Sequence, residues 1–429
     1  MEGHNLTPGN SRNERGHKYS ENQTGKQKNI NDYGETQKLF FDSLKYYLST
    51  QCVLRYNRVS ENIDIKWITS KKWEPIEDRS FYTLMIRSKK AGIKVNKEIF
   101  KSYLNSDNIH GVNPIKEAIE RYSTYHPSAS GVIDKLASTV RVDNQARWPL
   151  YFKKWLVGMV SNIFNDSRCT NHICLTLSGE QGRFKSTFIA NLIPDELRDY
   201  RYIGKIAVNG QNNKDTLSLL ATKLLIIIDD QLQQINRKDE NEIKELITKD
   251  TVTWRKPFAT FDITRPHRSS FAATVNGLEF LTDLTGSRRY LPFEVLSINI
   301  DQANKIDKQE VFAEAYQLYI SGFRYWFNDA EVDELNRENE KYRISSREYD
   351  LLLRHIDFDD SSEFITATEV LQRLEYLGET KSLSIKKVGE ALKKLNIPKV
   401  TRKIAGRATH GYFVKIGSHN KDDSGVEEM

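Results

Sequence analysis

Residues 175–193, LTLSGEQGRFKSTFIANLI, have the spacing of a phosphate-binding loop: Gly179, four residues, Phe184, then Lys185 and Ser186. In such a loop backbone amides surround the phosphates, the lysine neutralises them, and the hydroxyl reaches Mg²⁺. That chemistry makes Gly179, Glu180, Gln181, Gly182, Arg183, Phe184, Lys185, Ser186 and Thr187 candidate contacts for ATP. One position departs from the pattern: Phe184 stands where glycine is usual, in a turn that resists side chains. Read alone, the loop has a structural turn as its alternative.

Two further groups could complete a nucleotide site. The apolar run LLIIIDD ends in Asp229 and Asp230, carboxylates that could hold Mg²⁺ through water and polarise an attacking water. A solvated strand end is the alternative. The strand SSFAATVN ends in Asn276, an amide suited to sense a γ-phosphate between the loop and the acids. Arg288 and Arg289 follow in the turn TGSRR. An arginine offered to a neighbouring subunit's γ-phosphate stabilises transition-state charge; the plainer reading is a surface pair, or ion pairing with Asp283.

These groups need a frame that brings strand ends together. ICLTLS and LLIIIDD are short and almost wholly apolar, as strands buried on both faces are. Alternating strands and helices from 128 to 300 predict a parallel α/β fold. Before this, residues 36–127 read as an α+β region. It has a helix from Glu35, a hairpin over CVLRYNRV and IDIKWI, and capped helices over NKEIFKSYLNS and NPIKEAIERYS. Residues 301–348 read as a helical linker. Residues 349–417 give helix, helix and hairpin. The polar segments 1–35 and 418–429 are expected to be disordered tails.

The ordered set GEQGRFKSTF, IIIDDQL, IKELITKDTVTWRKPF, RSSFAATVN and FLTDLTGSRRYLPFEV resembles the virulence-associated protein E family of phage and mobile-element ATPases, similar to superfamily 3 helicases. The resemblance spans about residues 148–295, and SLSIKKVGEALKKLNI is similar to the winged-helix tail of some members. It implies an AAA+-like P-loop ATPase core working as a homo-oligomeric, hexameric ring, with ATP and Mg²⁺ between subunits. By position, Lys185 would neutralise the phosphates, and Ser186 and Asp229 would serve Mg²⁺. Asp230 would polarise water, Asn276 would be the sensor, and Arg288 or Arg289 the trans-acting finger. No primase segment is evident, so priming would come from a separate primase or initiator.

The expected partner is single-stranded or forked DNA. TKDTVTWRKPFATFDITRPHR reads as a cationic hairpin, with Lys249, Arg255, Lys256 and His267 as candidate contacts. Trp254 is either a base-stacking residue or a core aromatic. Between Lys381 and Lys415, ten Lys or Arg face one acid, Glu390. From these, Lys386, Lys387, Lys393, Lys394, Arg402, Lys403 and Arg407 are candidate phosphate contacts. The alternatives are a solvated face or an acidic protein partner.

Composition sets the outer limits. The 429 residues, 38% hydrophobic and 28% charged, suit a multi-domain globular chain. No run of about 18 apolar residues or signal-peptide core is present, so the expectation is a cytoplasmic protein with no membrane partner. Cys52, Cys169 and Cys174 have no CxxC spacing and read as reduced thiols. The net charge of +6 is modest, so the position of the charge matters more than its sum. The leading expectation is an ATP-dependent, ring-forming DNA helicase or translocase for replication of a mobile element. The alternatives are an initiator or regulator with nucleotide-dependent oligomerisation and little turnover, favoured by Phe184, and a phage-interference or defence ATPase.

Overall fold

The computed structural model describes residues 22–208, 214–235, 237–255, 260–282, 286–344, 346–357, 363–377, 383–395, 397–404 and 406–417; the side chains of 22–34, Arg237, Asp357 and Lys394 are outside that set. Lys256 and Asp283 also fall outside it, as do the terminal segments 1–21 and 418–429. The chain divides into two compact units, Met1–Ala118 and Ile119–Met429.

In the first unit, α1 (Asn22–Gln51) leads into the antiparallel pair β1 (Cys52–Asn57) and β2 (Asn62–Trp67). The helix starts inside the segment expected as a tail. Once residues after Glu35 form a packed helix, each further turn adds hydrogen bonds without a new nucleation cost. β3 (Glu74–Pro75), α2 (Asp78–Lys90), α3 (Lys97–Leu104) and β4 (Gly111–Val112) complete a four-stranded sheet, β3-β2-β1-β4, with its helices. Asn96 caps α3 by accepting from the Ile99 amide at 2.8 Å. Alternation along β1 and β2 sends Cys52, Leu54, Ile63 and Ile65 into a core with Leu44, Leu48, Leu84 and Phe100. α4 (Pro114–Tyr125) spans the boundary between the units.

The second unit opens with α5 (Val132–Ala137), β5 (Val140–Val142) and α6 (Trp148–Phe164). Nearly every residue of α6 from Tyr151 to Ile163 is buried, so it is a core helix rather than an amphipathic one. It is tied to the sheet where Trp155 Nε1 donates to Phe271 O at 3.1 Å and Asn162 Nδ2 to Ser269 O at 3.1 Å. Next come β6 (Cys174–Ser178), α7 (Lys185–Ala190), β7 (Arg201–Ile203), α8 (Lys214–Thr222), β8 (Leu225–Asp229), α9 (Arg237–Thr248), the hairpin β9 (Thr251–Trp254) and β10 (Ile263–Pro266), then β11 (Ser270–Thr274) and β12 (Tyr290–Ile298).

Six of these strands form one sheet, ordered β5-β12-β6-β11-β8-β7, parallel except for β5. The fold is mixed α/β. β6 and β11 are buried along their whole lengths, which is why they carry only apolar and small hydroxyl residues and no charged face. Since β11 pairs with both β6 and β8, the end of each strand opens at the same edge of the sheet. Crevices at that edge are where open α/β sheets hold ligands.

α10 (Ile300–Lys305), α11 (Lys308–Ile320) and α12 (Asp329–Asn339) follow. Within the segment expected as a helical linker α11 stops at Ile320, and Gly322 takes φ +82° two residues later, which suits glycine. The C-terminal segment comprises α13 (Arg347–His355), β13 (Ile356–Asp357), β14 (Glu363–Ile365), α14 (Ala367–Tyr376), α15 (Ile385–Lys394), β15 (Val400–Ile404) and β16 (Arg407–Ile416). β16 pairs antiparallel with β13, β14 and β15. A separate apolar cluster, including Leu352, Val370, Leu374, Val388, Leu392 and Val414, holds this segment together. All three cysteines are free and buried. Among the described residues no helix is long and apolar enough to cross a membrane.

Candidate functional site

The loop after β6 turns back on itself through glycine. Gly179 has φ +123°, and a Cβ there would meet Val295 O at 2.8 Å, so no other residue fits. Its amide and carbonyl exchange hydrogen bonds with Gly277 at 3.1 and 3.0 Å, fastening the loop to the segment after β11. Glu180, Gln181, Gly182, Arg183, Phe184 and Thr187 are exposed, and Arg183 pairs with Glu180 at 2.5 Å.

Lys185 is the buried member of the loop. Its Nζ donates to Gly179 O at 2.9 Å and Glu180 O at 2.6 Å, and lies 3.4 Å from Asn276 Oδ1. Burial lowers its pKa; Asp230 and Asp229 oppose that shift. Asn276 in turn donates through Nδ2 to Asp230 Oδ2 at 2.8 Å. Ser186 Oγ donates to Asp229 Oδ1 at 2.6 Å, and Thr274 donates to the same oxygen. Two hydrogen-bonded groups, Lys185–Asn276–Asp230 and Ser186–Asp229–Thr274, thus lie side by side at the strand ends, because Lys185 adjoins Ser186 and Asp229 adjoins Asp230 in the chain.

Two further partners of these residues had no signal in the sequence. Thr274 looks like an ordinary β-branched strand residue, and only the register that sets it opposite Asp229 gives its hydroxyl a role. Gln233 donates through Nε2 to Asn276 O. It is one of three glutamines in QLQQ, and composition does not distinguish it.

A hard cation is compatible with this donor set. Ser186, Asp229 and Thr274 supply oxygen atoms, which suit Mg²⁺. Among the described residues no group of three or more His, Cys, Asp or Glu could form an all-protein cage. Few protein oxygens combined with substrate phosphates is the usual arrangement for Mg²⁺.

Arg288 and Arg289 are in neither group. They immediately precede β12, whose Tyr290 is level with Cys174 at the start of β6, whereas the loop follows the end of β6. The pair thus lies at the opposite edge of the sheet from Lys185. Arg288 is exposed, while Arg289 is half-buried and donates to Gly286 O at 3.4 Å.

The hairpin forms as expected, Trp254 pairing with Ile263. Its side chains divide differently from the expectation. Trp254 packs into the core cluster of the second unit, so it is the core aromatic of the two readings. His267 is fully buried, with its Nδ1 2.8 Å from Lys249 O, and burial lowers its pKa to about 4. A neutral, enclosed imidazole cannot meet a phosphate, so its assignment as a DNA contact is corrected. The sequence showed a cationic hairpin end; the chain instead dives into the sheet at that residue to begin β11. Arg255 bonds to Asp262 at 2.7 Å across the hairpin, and Lys249 lies 3.5 Å from Glu245.

In the C-terminal segment, α15 buries Val388, Ala391 and Leu392, leaving Lys386, Lys387 and Lys393 exposed. Lys386 and Lys387 line a cavity of about 430 Å³ with Arg343 and Glu390, which are 3.5 Å apart. Arg402, Lys403 and Arg407 are exposed on the β15–β16 hairpin, and the Arg402 guanidinium sits 4.6 Å from the Phe413 ring centre.

A family model for the virulence-associated protein E-like domain matches residues 129–344. Among solved structures, the chain is similar to one described as the apo structure of the NrS-1 C terminal region (305-718), with TM-score 0.47 and 14% identity, covering 87% of this chain and 98% of that one. An A form of the same region gives TM-score 0.46 and 13% identity, over 88% and 98%. No curated protein matches the chain.

Proposed function

We propose, from the premise that this chain belongs to the virulence-associated protein E-like family, that it is a P-loop ATPase with an AAA+-like core. It would work as a ring-forming DNA helicase or translocase in replication of a mobile element. The observation that carries the reading is the convergence of Lys185, Ser186, Asp229, Asp230 and Asn276 at one sheet edge, with the Asn276 strand between the other two. Chance would not bring a loop lysine, a loop hydroxyl, two strand-end acids and an amide into two adjoining bonded groups.

In this mechanism Lys185 leaves the Gly179 and Glu180 carbonyls to bind the β- and γ-phosphates. Ser186 and Asp229 would hold Mg²⁺, which when bound neutralises charge on the phosphate oxygens. Asp230 accepts a hydrogen bond from the attacking water and orients it, while Asn276 bridges Lys185 and Asp230 and so senses the γ-phosphate. An arginine from the edge carrying Arg288 and Arg289 serves the site of the next subunit, because neither can reach its own. The winged-helix-like segment and the hairpin engage DNA through Lys386, Lys387, Lys393, Arg402, Lys403, Arg407, Arg255 and Lys249.

Turnover by the purified chain, with and without forked DNA, tests this; Lys185→Ala should abolish it, and DNA-independent hydrolysis would count against translocation. One observation favours a second reading. Phe184 occupies a left-handed conformation at φ +59°, and a strained loop could bind nucleotide and switch oligomeric state with little turnover. Tight ATP binding without hydrolysis would select that reading.

A further inference from the structure

Phe184 is costly where it stands. A bulky side chain at φ +59° is a backbone outlier, and the residue is 52% exposed rather than packed. Such a residue is a candidate for a contact outside its own subunit.

The opposite edge of the sheet offers one. There, Arg288, Arg289, Tyr325, Trp326, Phe327 and Val332 line a cavity of about 230 Å³. Trp326 is 55% exposed, and Tyr325 meets it edge-on with ring centres 5.4 Å apart. Arg289 Nε is buried there without a hydrogen-bond partner among the described residues. The two arginines make this edge cationic, whereas the loop edge sets three acids, Glu180, Asp229 and Asp230, against two cations, Arg183 and Lys185. Knob and cavity are thus complementary in shape class and charge, and lie at opposite ends of one parallel sheet.

We propose that Phe184 of one copy seats in the Trp326 cavity of a second copy, head to tail. Heterologous contacts of this kind repeat around a ring. The inference rests on the reading that ATP is held between subunits. It gives the unusual loop residue a purpose: it places Arg288 of one copy beside the loop of the next. Aromatic insertion at such a contact adds both buried area and ring-on-ring geometry.

The test uses the full chain with ATP and Mg²⁺. By sedimentation, Phe184→Ala and Trp326→Ala should each weaken self-association about tenfold or more, the loss expected for a buried phenyl ring. In a second experiment a Phe184→Cys chain is mixed with a Trp326→Cys chain and treated with a short thiol-reactive cross-linker. The native cysteines are all buried, so background is low. A linked dimer in the mixture, absent from either variant alone, is expected. A monomeric wild type, unchanged association in both alanine variants, or no linked dimer would overturn the contact. A raised KM for ATP in Phe184→Ala with association intact would reassign the ring to its own subunit's nucleotide. Wild-type turnover is read separately: an inactive chain that still cross-links defeats the ATPase reading and leaves this contact standing.

Discussion

Ser186 Oγ donates to Asp229 Oδ1 across 2.6 Å, joining the start of α7 to the last residue of β8. Forty-three positions of sequence separate the two, and only a sheet that sets β6 and β8 on either side of β11 brings them together. Their bond marks where loop and acid meet, and the charge beside it comes from Lys185. Removing that charge should be severe. Lys185→Ala is expected to lower ATP turnover about a hundredfold or more, the scale for losing one preorganised charge-stabilising group. Asp229→Asn should do likewise while leaving the thermal midpoint within a few degrees. Turnover of either variant near the wild-type rate would remove the site assignment.

Phe184→Gly should make the subunit more stable. The left-handed conformation costs a bulky residue about 1–2 kcal/mol, part of which glycine returns through its larger unfolded-state entropy. The net gain is about 0.5–1 kcal/mol, or roughly 2 °C in Tm for a unit of this size. Phe184→Val should shift the midpoint the other way, since β-branching worsens the same strain. Thermal unfolding of both, measured at a concentration where the wild type is monomeric, separates this from self-association.

His267 predicts a pH dependence. Its folded pKa of about 4 lies below the ordinary 6.5, so the unfolded chain binds the proton first as pH falls. His267 therefore costs no stability above about pH 6.5. Stability is lost as pH drops from there to about 4 and levels off below that, by roughly 3 kcal/mol in all. His267→Asn keeps a donor for Lys249 O and cannot titrate. Denaturant unfolding at pH 7 and pH 5 should show a smaller difference for this variant than for wild type; equal slopes would mean that the imidazole is protonated when folded.

His267 also shows where the sequence was legible and where it was not. The strands that lead to Lys185, Asp229 and Asn276 announced themselves because burial on both faces leaves short runs without charged residues, broken only by small hydroxyls. Loop spacing marked Lys185 and Ser186 because the chemistry demands those types in that order. What could not be read was direction. A histidine beside arginines in a hairpin looks cationic, yet its exposure depends on where the chain turns inward. Thr274 and Gln233 were silent for a related reason: their contacts run between strands and loops, and no local pattern encodes that register. β5 and β12 were missed as sheet members because β12 mixes polar residues at the sheet margin.

The C-terminal lysines give a test that does not involve the nucleotide. Replacing Lys386 and Lys387 together with alanine should weaken DNA binding across sequences and reduce the slope of log affinity against log salt by about one per lost phosphate contact. His267→Asn should leave that slope unchanged, because a buried imidazole releases no counterion. If the lysine pair leaves both affinity and slope at wild-type values, the exposed face of α15 is merely solvated.

The sheet geometry makes a sharper demand on Arg288. Because it precedes β12 at the edge away from Lys185, it cannot complete the site of its own subunit. Arg288→Ala and Lys185→Ala should each be inactive alone. Mixed in equal amounts, they should recover activity, since the intact loop of an Arg288→Ala chain can face the intact arginine of a Lys185→Ala chain. In a head-to-tail ring with random mixing about a quarter of the interfaces have both groups, which sets the expected recovery. Mixing that restores nothing, with both variants still assembling, would mean that Arg288 supports its own subunit's fold; the same experiment with Arg289→Ala then decides which of the two serves the neighbour.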